Sequence, residues 1–289
     1  MKNLFTSLLV LCFAASAQAQ VTVALQIERP QYLTHEPVTA VVTITNRSGK
    51  ELLLQSSTKG SLAISWLDFK IRDGRGRVIA RSSNAVFRAA KIAAGQSMAR
   101  KINLEQMFPI QTSGSYSVVA SVRQGTDLTD ATIYTSGSAR FSVSDGRVLF
   151  KQPFGAPGTS APEREYQVIA YNDGQTTSVY ASVLDTKRGT SFSTFRLSTA
   201  LLFRTPQATL DSKNNLHVLY LANPAVYVHA KVDIDGKLID TKYFLRGETS
   251  TPQLMAFSNG EIVTQGGIPY DPKAAQESRD SARDITDRP

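Results

Sequence analysis

Apolar and polar residues alternate with a period of two along most of this chain. Val21, Val23, Leu25 and Ile27 interleave with Thr22, Ala24, Gln26 and Glu28, and Val38, Ala40, Val42 and Ile44 repeat the pattern after His35-Glu36-Pro37. Successive side chains of a strand point to opposite faces, so each run predicts a strand with one buried face. Asn46-Arg47-Ser48-Gly49 then turns the chain into Glu51-Leu52-Leu53-Leu54. Further strands are expected at Ala63 to Ile71, Val78 to Arg81, Ser97 to Ile102, Gly114 to Arg123 and Ser136 to Val143, with Asp73-Gly74-Arg75-Gly76 as a hairpin turn. Short strands at this density predict two stacked antiparallel sheets.

The run from Pro37 to Lys50, together with Gly114-Ser115-Tyr116-Ser117-Val118-Val119-Ala120, resembles the immunoglobulin-like modules common in exported bacterial proteins. The resemblance implies a β-sandwich over residues 20–150 that binds or spaces. It lacks the cysteine pair of antibody domains, so Trp66 reads as an ordinary core or groove aromatic.

The second half carries a near-repeat. Thr205-Pro206-Gln207 recurs as Thr251-Pro252-Gln253, each followed by a strand, a polar turn and another strand. Val179 to Asp185 also aligns with Val228 to Ile234, and each copy passes a glycine-containing turn into a further strand. Units of this length and strand content resemble β-propeller blades. Residues 165–269 hold too few of them to close a ring. The expected arrangements are an open propeller-like sheet, a ring completed by other chains, or another stacked β architecture. The last unit stops after one hairpin, which predicts an exposed edge for self-association.

The expected fold is therefore all-β: an immunoglobulin-like sandwich followed by a β domain with propeller-blade-like repeats. The proposed divisions are a signal peptide at 1–19, the sandwich at 20–150, a Pro/Gly-rich linker at 151–164, the repeat domain at 165–269 and a flexible polar tail at 270–289. The signal rests on Lys2, the apolar run from Leu4 to Ala15 and Ala17-Gln18-Ala19, and it implies export to a periplasmic or extracellular location. A lipoprotein signal at Cys12 is the rival reading, disfavoured because Leu11 is not small. The mature chain would hold no cysteine, and no stretch reaches transmembrane length. The tail has one large aliphatic residue, Ile285; a short helix from Lys273 to Asp284 is conceivable but has no apolar stripe to dock it.

Charge is unevenly placed. Val21 to Phe150 carries 16 Lys or Arg against 9 Asp or Glu, whereas Lys151 to Pro269 carries 11 against 10, so the positive excess belongs to the first half. Between Lys70 and Lys101, nine basic residues face the single acid Asp73. Arg72, Arg75 and Arg77 flank a glycine-rich turn and are the candidate ligand-binding residues, suited to phosphate or carboxylate. Nucleic acid is disfavoured for an exported chain without an aromatic ladder; an anionic envelope polymer, a lipid surface or a protein fits better. The alternative is a solvated surface that keeps the protein in solution.

Catalytic signals are thin. His35, His217 and His229 show no helix-borne zinc spacing. His217 and His229 could meet across neighbouring strands, with Asp211 or Asp233 completing a metal or acid–base set, although solvent-facing or satisfied polar histidines are the favoured reading. Asp233-Ile234-Asp235-Gly236 lacks the further ligands of a calcium loop and reads as a hairpin turn. No G-x-S-x-G elbow, S-x-x-K pair or phosphate loop occurs, so no catalytic, cofactor-binding or metal-binding residue is assigned. The favoured function is an exported, non-catalytic binding or assembly module. The alternative is an exported enzyme or enzyme-inhibitor accessory protein, with any site in the second half. Converging Asp, Glu or His groups in a concave pocket would favour the enzyme.

Overall fold

The computed structural model describes residues 21–59, 62–125, 131–155 and 163–277. The strands of the first half are β1 (Val21–Ile27), β2 (Gln31–Leu33), β3 (Thr39–Asn46), β4 (Leu52–Leu54), β5 (Ser57–Lys59), β6 (Leu62–Ile64), β7 (Leu67–Asp73), β8 (Ala90–Ile92), β9 (Ser97–Asn103), β10 (Gly114–Gln124), β11 (Thr132–Thr135) and β12 (Ala139–Ser144). Alternation sets their facing: Ala40, Val42 and Ile44 of β3 are buried, as are Leu67, Phe69 and Ile71 of β7, while the residues between them are not. Strands β1, β3 and β9 form one sheet; β11, β10, β12 and β2 form another, with β7 also paired to β10. Their apolar sides meet in one core that includes Trp66, Tyr32 and Phe141. Trp66 is fully buried and donates its indole N–H to the Arg88 carbonyl at 2.9 Å.

The second half contributes β13 (Arg147–Phe154), β14 (Arg164–Asn172), β15 (Thr177–Asp185), β16 (Thr190–Thr199), β17 (Gln207–Leu210), β18 (Leu216–Leu221), β19 (Val226–Val232), β20 (Leu238–Leu245), β21 (Gln253–Ala256), β22 (Ile262–Gln265) and β23 (Ile268–Tyr270). Strands β13 to β16 pair in sequence as one antiparallel sheet, and β17 to β20 as another, extended by β23; β21 and β22 stand as a two-stranded pair. Phe154, Tyr166, Val183, Val218, Tyr220 and Ala230 belong to the core between the two larger sheets.

The expected immunoglobulin-like sandwich and propeller-like domain are corrected by this arrangement. The chain is all-β, but its sheets are separate and none is closed or curled. Strands β4 and β8 pair only with each other, as do β5 and β6, and β2 joins β12 in parallel. Alternation reports that a strand has one buried face; it carries no information about which distant strand becomes its neighbour. The repeated sequence does form repeated hairpins, β17–β18 and β21–β22, yet no ring follows from them. Val78 to Arg81 forms no strand, only a single bridge between Val78 and Arg72. Strand β13 crosses residue 150, so the sheet of the second half begins at Arg147. The expected signal segment, 1–19, lies outside the described residues, and neither the structure nor any similarity supports a signal peptide or secretion. Of the tail, residues 272–277 are helical.

A small cluster joins the halves. Leu33 packs with Ile169, Tyr171 and Tyr180, and Arg29 Nη1 donates to the Tyr180 hydroxyl at 3.3 Å. A β-carbon on Gly146 would lie 2.4 Å from Ile169 Cγ2, so only glycine fits that approach.

Among the described residues, four turns share one hydrogen-bond pattern. In residues 73–77, 211–215, 233–237 and 257–261 the first N–H bonds the fifth carbonyl, and the fourth N–H bonds the first carbonyl. The fourth residue is left-handed in each: Gly76, Asn214, Gly236 and Gly260 have φ of +80°, +61°, +76° and +78°. Asp73, Asp211 and Asp233 each use Oδ1 to accept the N–H groups two and four residues on, which ties the carboxylate to its own turn.

Candidate functional site

Several basic residues of the first half are paired with acids. Arg77 Nε holds Asp73 Oδ2 at 2.7 Å, Lys101 pairs with Glu28 at 2.6 Å, Lys91 with Glu51 at 3.5 Å, and Arg81 pairs with Asp68. Arg72 Nη1 donates to the Gly76 carbonyl at 2.8 Å, and Arg75 is exposed at the turn. Arg75 and Arg77 border a cavity of about 310 Å³ that Thr112, Ser113 and Tyr116 also line.

Sheet register assembles a different group. Ser117 of β10 lies opposite Arg72 of β7 on one side and opposite Arg140 of β12 on the other. Lys70 stands two residues before Arg72, on the same outward side of β7. Adjacent strands are about 4.8 Å apart, so the two arginines rise from backbone positions about 10 Å from each other. Lys70, Arg72 and Arg140 are exposed, and among the described residues none pairs with a carboxylate. Sequence spacing had no means of including Arg140, which joins the group only because β10 lies between β7 and β12.

The second half holds a concave polar site. His217 on β18 and His229 on β19 are both buried, and the Nδ1 of the first lies 2.9 Å from the Nε2 of the second. They are not solvent-facing, as the favoured sequence reading allowed, but satisfied within a network. His217 Nε2 lies 3.3 Å from Asp211 Oδ2, and His229 Nδ1 lies 2.8 Å from the Thr264 hydroxyl. Lys231 also reaches Asp211 Oδ2, at 2.9 Å. Asp233, the other carboxylate considered from sequence, is instead engaged in its own hairpin turn.

Each residue is placed by an identifiable element. The 211–215 turn occupies Asp211 Oδ1 and leaves Oδ2 for Asn215, His217 and Lys231. On β22, Ile262 and Thr264 share a face, and Ile262 is buried. The β21–β22 hairpin is tied down by Ser212 N–H to the Gly260 carbonyl at 3.0 Å and by Leu254 N–H to Gln207 Oε1 at 2.8 Å. Thr264 thus reaches His229, and both line a cavity of about 480 Å³ with Lys242, Asp240 and Asn259.

Electrostatics fix the protonation states. Burial works against the Asp211 carboxylate, but donors from Asn215, Lys231 and His217 outweigh it and hold the carboxyl well below its usual range. Burial lowers the His217 pKa against the pull of Asp211. Burial, His217 and Lys242 bring His229 down to about 4. At neutral pH the site contains an ionised carboxylate and two neutral imidazoles. Among the described residues, no group of three or more His, Cys, Asp or Glu residues is arranged to hold a metal ion.

No family model matches the chain. No curated protein matches it either. Among solved structures, the sporulation control protein Spo0M from Bacillus subtilis aligns with 93% of this chain and 99% of its own, at 10% identity and a TM-score of 0.28; a likeness this weak carries no argument. No helix among the described residues is long and apolar enough to cross a membrane, which says nothing of a β-barrel.

Proposed function

We propose that this chain is a binding module that captures a phosphate-bearing polymer on the outer face of the β7–β10–β12 sheet. The row Arg72–Ser117–Arg140, with Lys70 beside it, carries this reading. Guanidinium groups donate in a planar fork that suits phosphate oxygens, and the serine hydroxyl between them supplies a further donor. The cations have no carboxylate to surrender on binding, which removes one competing interaction. Arg75, exposed at the adjoining turn, extends the same basic edge, whereas Arg77 would first have to leave Asp73.

The test is titration of the full chain with long-chain polyphosphate, and separately with phosphatidylglycerol vesicles, across a salt series. Losing one charge-assisted contact is worth about tenfold in affinity. Arg72→Ser/Arg140→Ser should therefore bind polyphosphate at least about tenfold more weakly, with wild-type binding falling as salt rises. Unchanged binding by the variant, or none by wild type at low salt, would reject the proposal. Binding to vesicles but not polyphosphate would move the ligand to a lipid surface.

A further inference from the structure

The cavity of the second half contains a directed chain of hydrogen bonds. Its direction follows from its buried end. Asp211 Oδ2, ionised and already accepting from Asn215 and Lys231, can only accept, so His217 donates through Nε2–H. A neutral imidazole has one N–H, which leaves His217 Nδ1 as an acceptor. His229 must therefore donate through Nε2–H, and its Nδ1 accepts in turn. The group facing that Nδ1 is the Thr264 hydroxyl, at 2.8 Å, so the threonine proton points inward to His229. The Thr264 oxygen is left with its lone pairs for whatever enters the cavity.

The chain of hydrogen bonds ends on a partly exposed hydroxyl at the wall of a cavity of about 480 Å³. A hydroxyl bonded to an imidazole that is itself oriented by a third group is the arrangement that activates an alcohol as a nucleophile. Lys242, directly opposite His229 on β20, brings a cation to the same wall.

We propose that this cavity is an acyl-ester hydrolase site, with Thr264 Oγ1 as nucleophile and His229 as its general base. Thr264 Oγ1 forms a bond to the ester carbonyl carbon while its proton passes to His229 Nδ1. The Nε2 proton of His229 shifts to His217 Nδ1, placing the positive charge beside the Asp211 carboxylate. Lys242 faces the negative charge that develops on the carbonyl oxygen. On collapse, the bond to the leaving alcohol breaks, the protons return along the chain and the alcohol takes one from His229. Water then attacks the acyl-threonine by the same route, giving a carboxylic acid and restoring the hydroxyl. Asp211 and His217 act as positioning residues. The cavity size suits a small acyl group, and its lysines, Lys213, Lys231 and Lys242, are matched by Asp211, Asp240 and Glu261, which favours an uncharged or zwitterionic ester over a polyanion.

The experiment uses the full chain with p-nitrophenyl acetate and p-nitrophenyl butyrate, and with a fluorophosphonate probe whose adduct is located by peptide mass. Thr264→Val keeps the shape and removes the hydroxyl, and it should lower kcat/KM at least about 100-fold, as should His229→Gln. Thr264→Ser should retain turnover within about tenfold, and the probe should label residue 264 in wild type and in Thr264→Ser. Turnover by wild type no faster than by Thr264→Val, or labelling elsewhere, would overturn the proposal. Should Thr264→Val fail to fold, adduct position and the serine variant decide the matter: no adduct at residue 264 in either protein would be fatal.

Discussion

The turns at 73–77 and 211–215 have the same backbone hydrogen bonds and the same aspartate clasp, yet their surroundings give them different work. In the first half, Asp73 spends its second oxygen on Arg77, whose side chain is largely exposed. In the second half, Asp211 spends its second oxygen on Asn215, Lys231 and His217, beneath a hairpin that delivers Thr264. A local motif therefore supplies a fixed carboxylate, and the packing around it determines whether that carboxylate is a surface clasp or the anchor of a buried network. The two candidate sites differ in the same way: Lys70, Arg72 and Arg140 stand on an exposed sheet face without a carboxylate partner, whereas Asp211, His217 and His229 are gathered beneath a cavity.

The sharpest way to break this comparison is to remove each aspartate. Asp211→Ala leaves Lys231 and His217 without their shared acceptor and should cost about 3 kcal/mol. Asp73→Ala loses turn hydrogen bonds and an exposed ion pair, so its loss should be clearly smaller. Denaturant unfolding of both variants measures the difference; equal losses would mean that the two turns are energetically alike and that the buried network adds nothing.

Acidity separates the halves next. Glu105, between β9 and β10, is raised to about 7 by burial and by Glu36, so folding favours its protonated form. An unfolded carboxyl releases its proton near 4.5, and the first half should lose stability as pH rises from 4.5 to 7. His229 has the opposite sign. Its folded pKa of about 4 lies below the unfolded 6.5, so the unfolded state binds more protons and the second half should lose stability as pH falls from 6.5 to 4. Each contribution is about 2 kcal/mol after allowing for partial exposure. Stability curves of Glu105→Gln and His229→Gln over this range should flatten in opposite directions, and parallel curves would remove the contrast.

The smallest effect concerns the fourth turn position. Asn214 tolerates its left-handed backbone, and Asn214→Gly should change stability by less than about 0.5 kcal/mol. Gly236→Ala adds a strained φ and a β-carbon 2.4 Å from Ser193 Cβ, so thermal unfolding should show a loss above about 1 kcal/mol. A tolerated alanine would mean that these turns are looser than their shared hydrogen bonding implies.

Much of the local structure was legible in the residues. Alternation located β1, β3 and β10, and the Asp/Gly clusters located the turns at 73–77 and 233–237, whereas the single strand expected from Ala63 to Ile71 is divided between β6 and β7, which belong to different sheets. The near-repeat at Thr205 and Thr251 located two hairpins closed by the same turn. The candidate sites were legible only in part. Arg72 was singled out for its neighbours in sequence, whereas Arg140 became its companion through β10. His217, His229 and Asp211 were recognised as a set that adjacent strands could bring together, but Thr264 carried no signal at all, because a threonine in an alternating strand is ordinary.

The sequence by itself determined that the chain is built of strands, where several of them turn, and which face of each strand seeks a core, since steric preference, side-chain alternation and Asp-to-backbone hydrogen bonds act over a few residues. Tertiary structure alone decided that the sheets stay separate and unclosed, that Arg72 and Arg140 flank one serine, and that the Thr264 hydroxyl lies against His229. Those outcomes depend on pairing between segments far apart in the chain, where many partners satisfy the same alternation and only the packing of the whole selects among them.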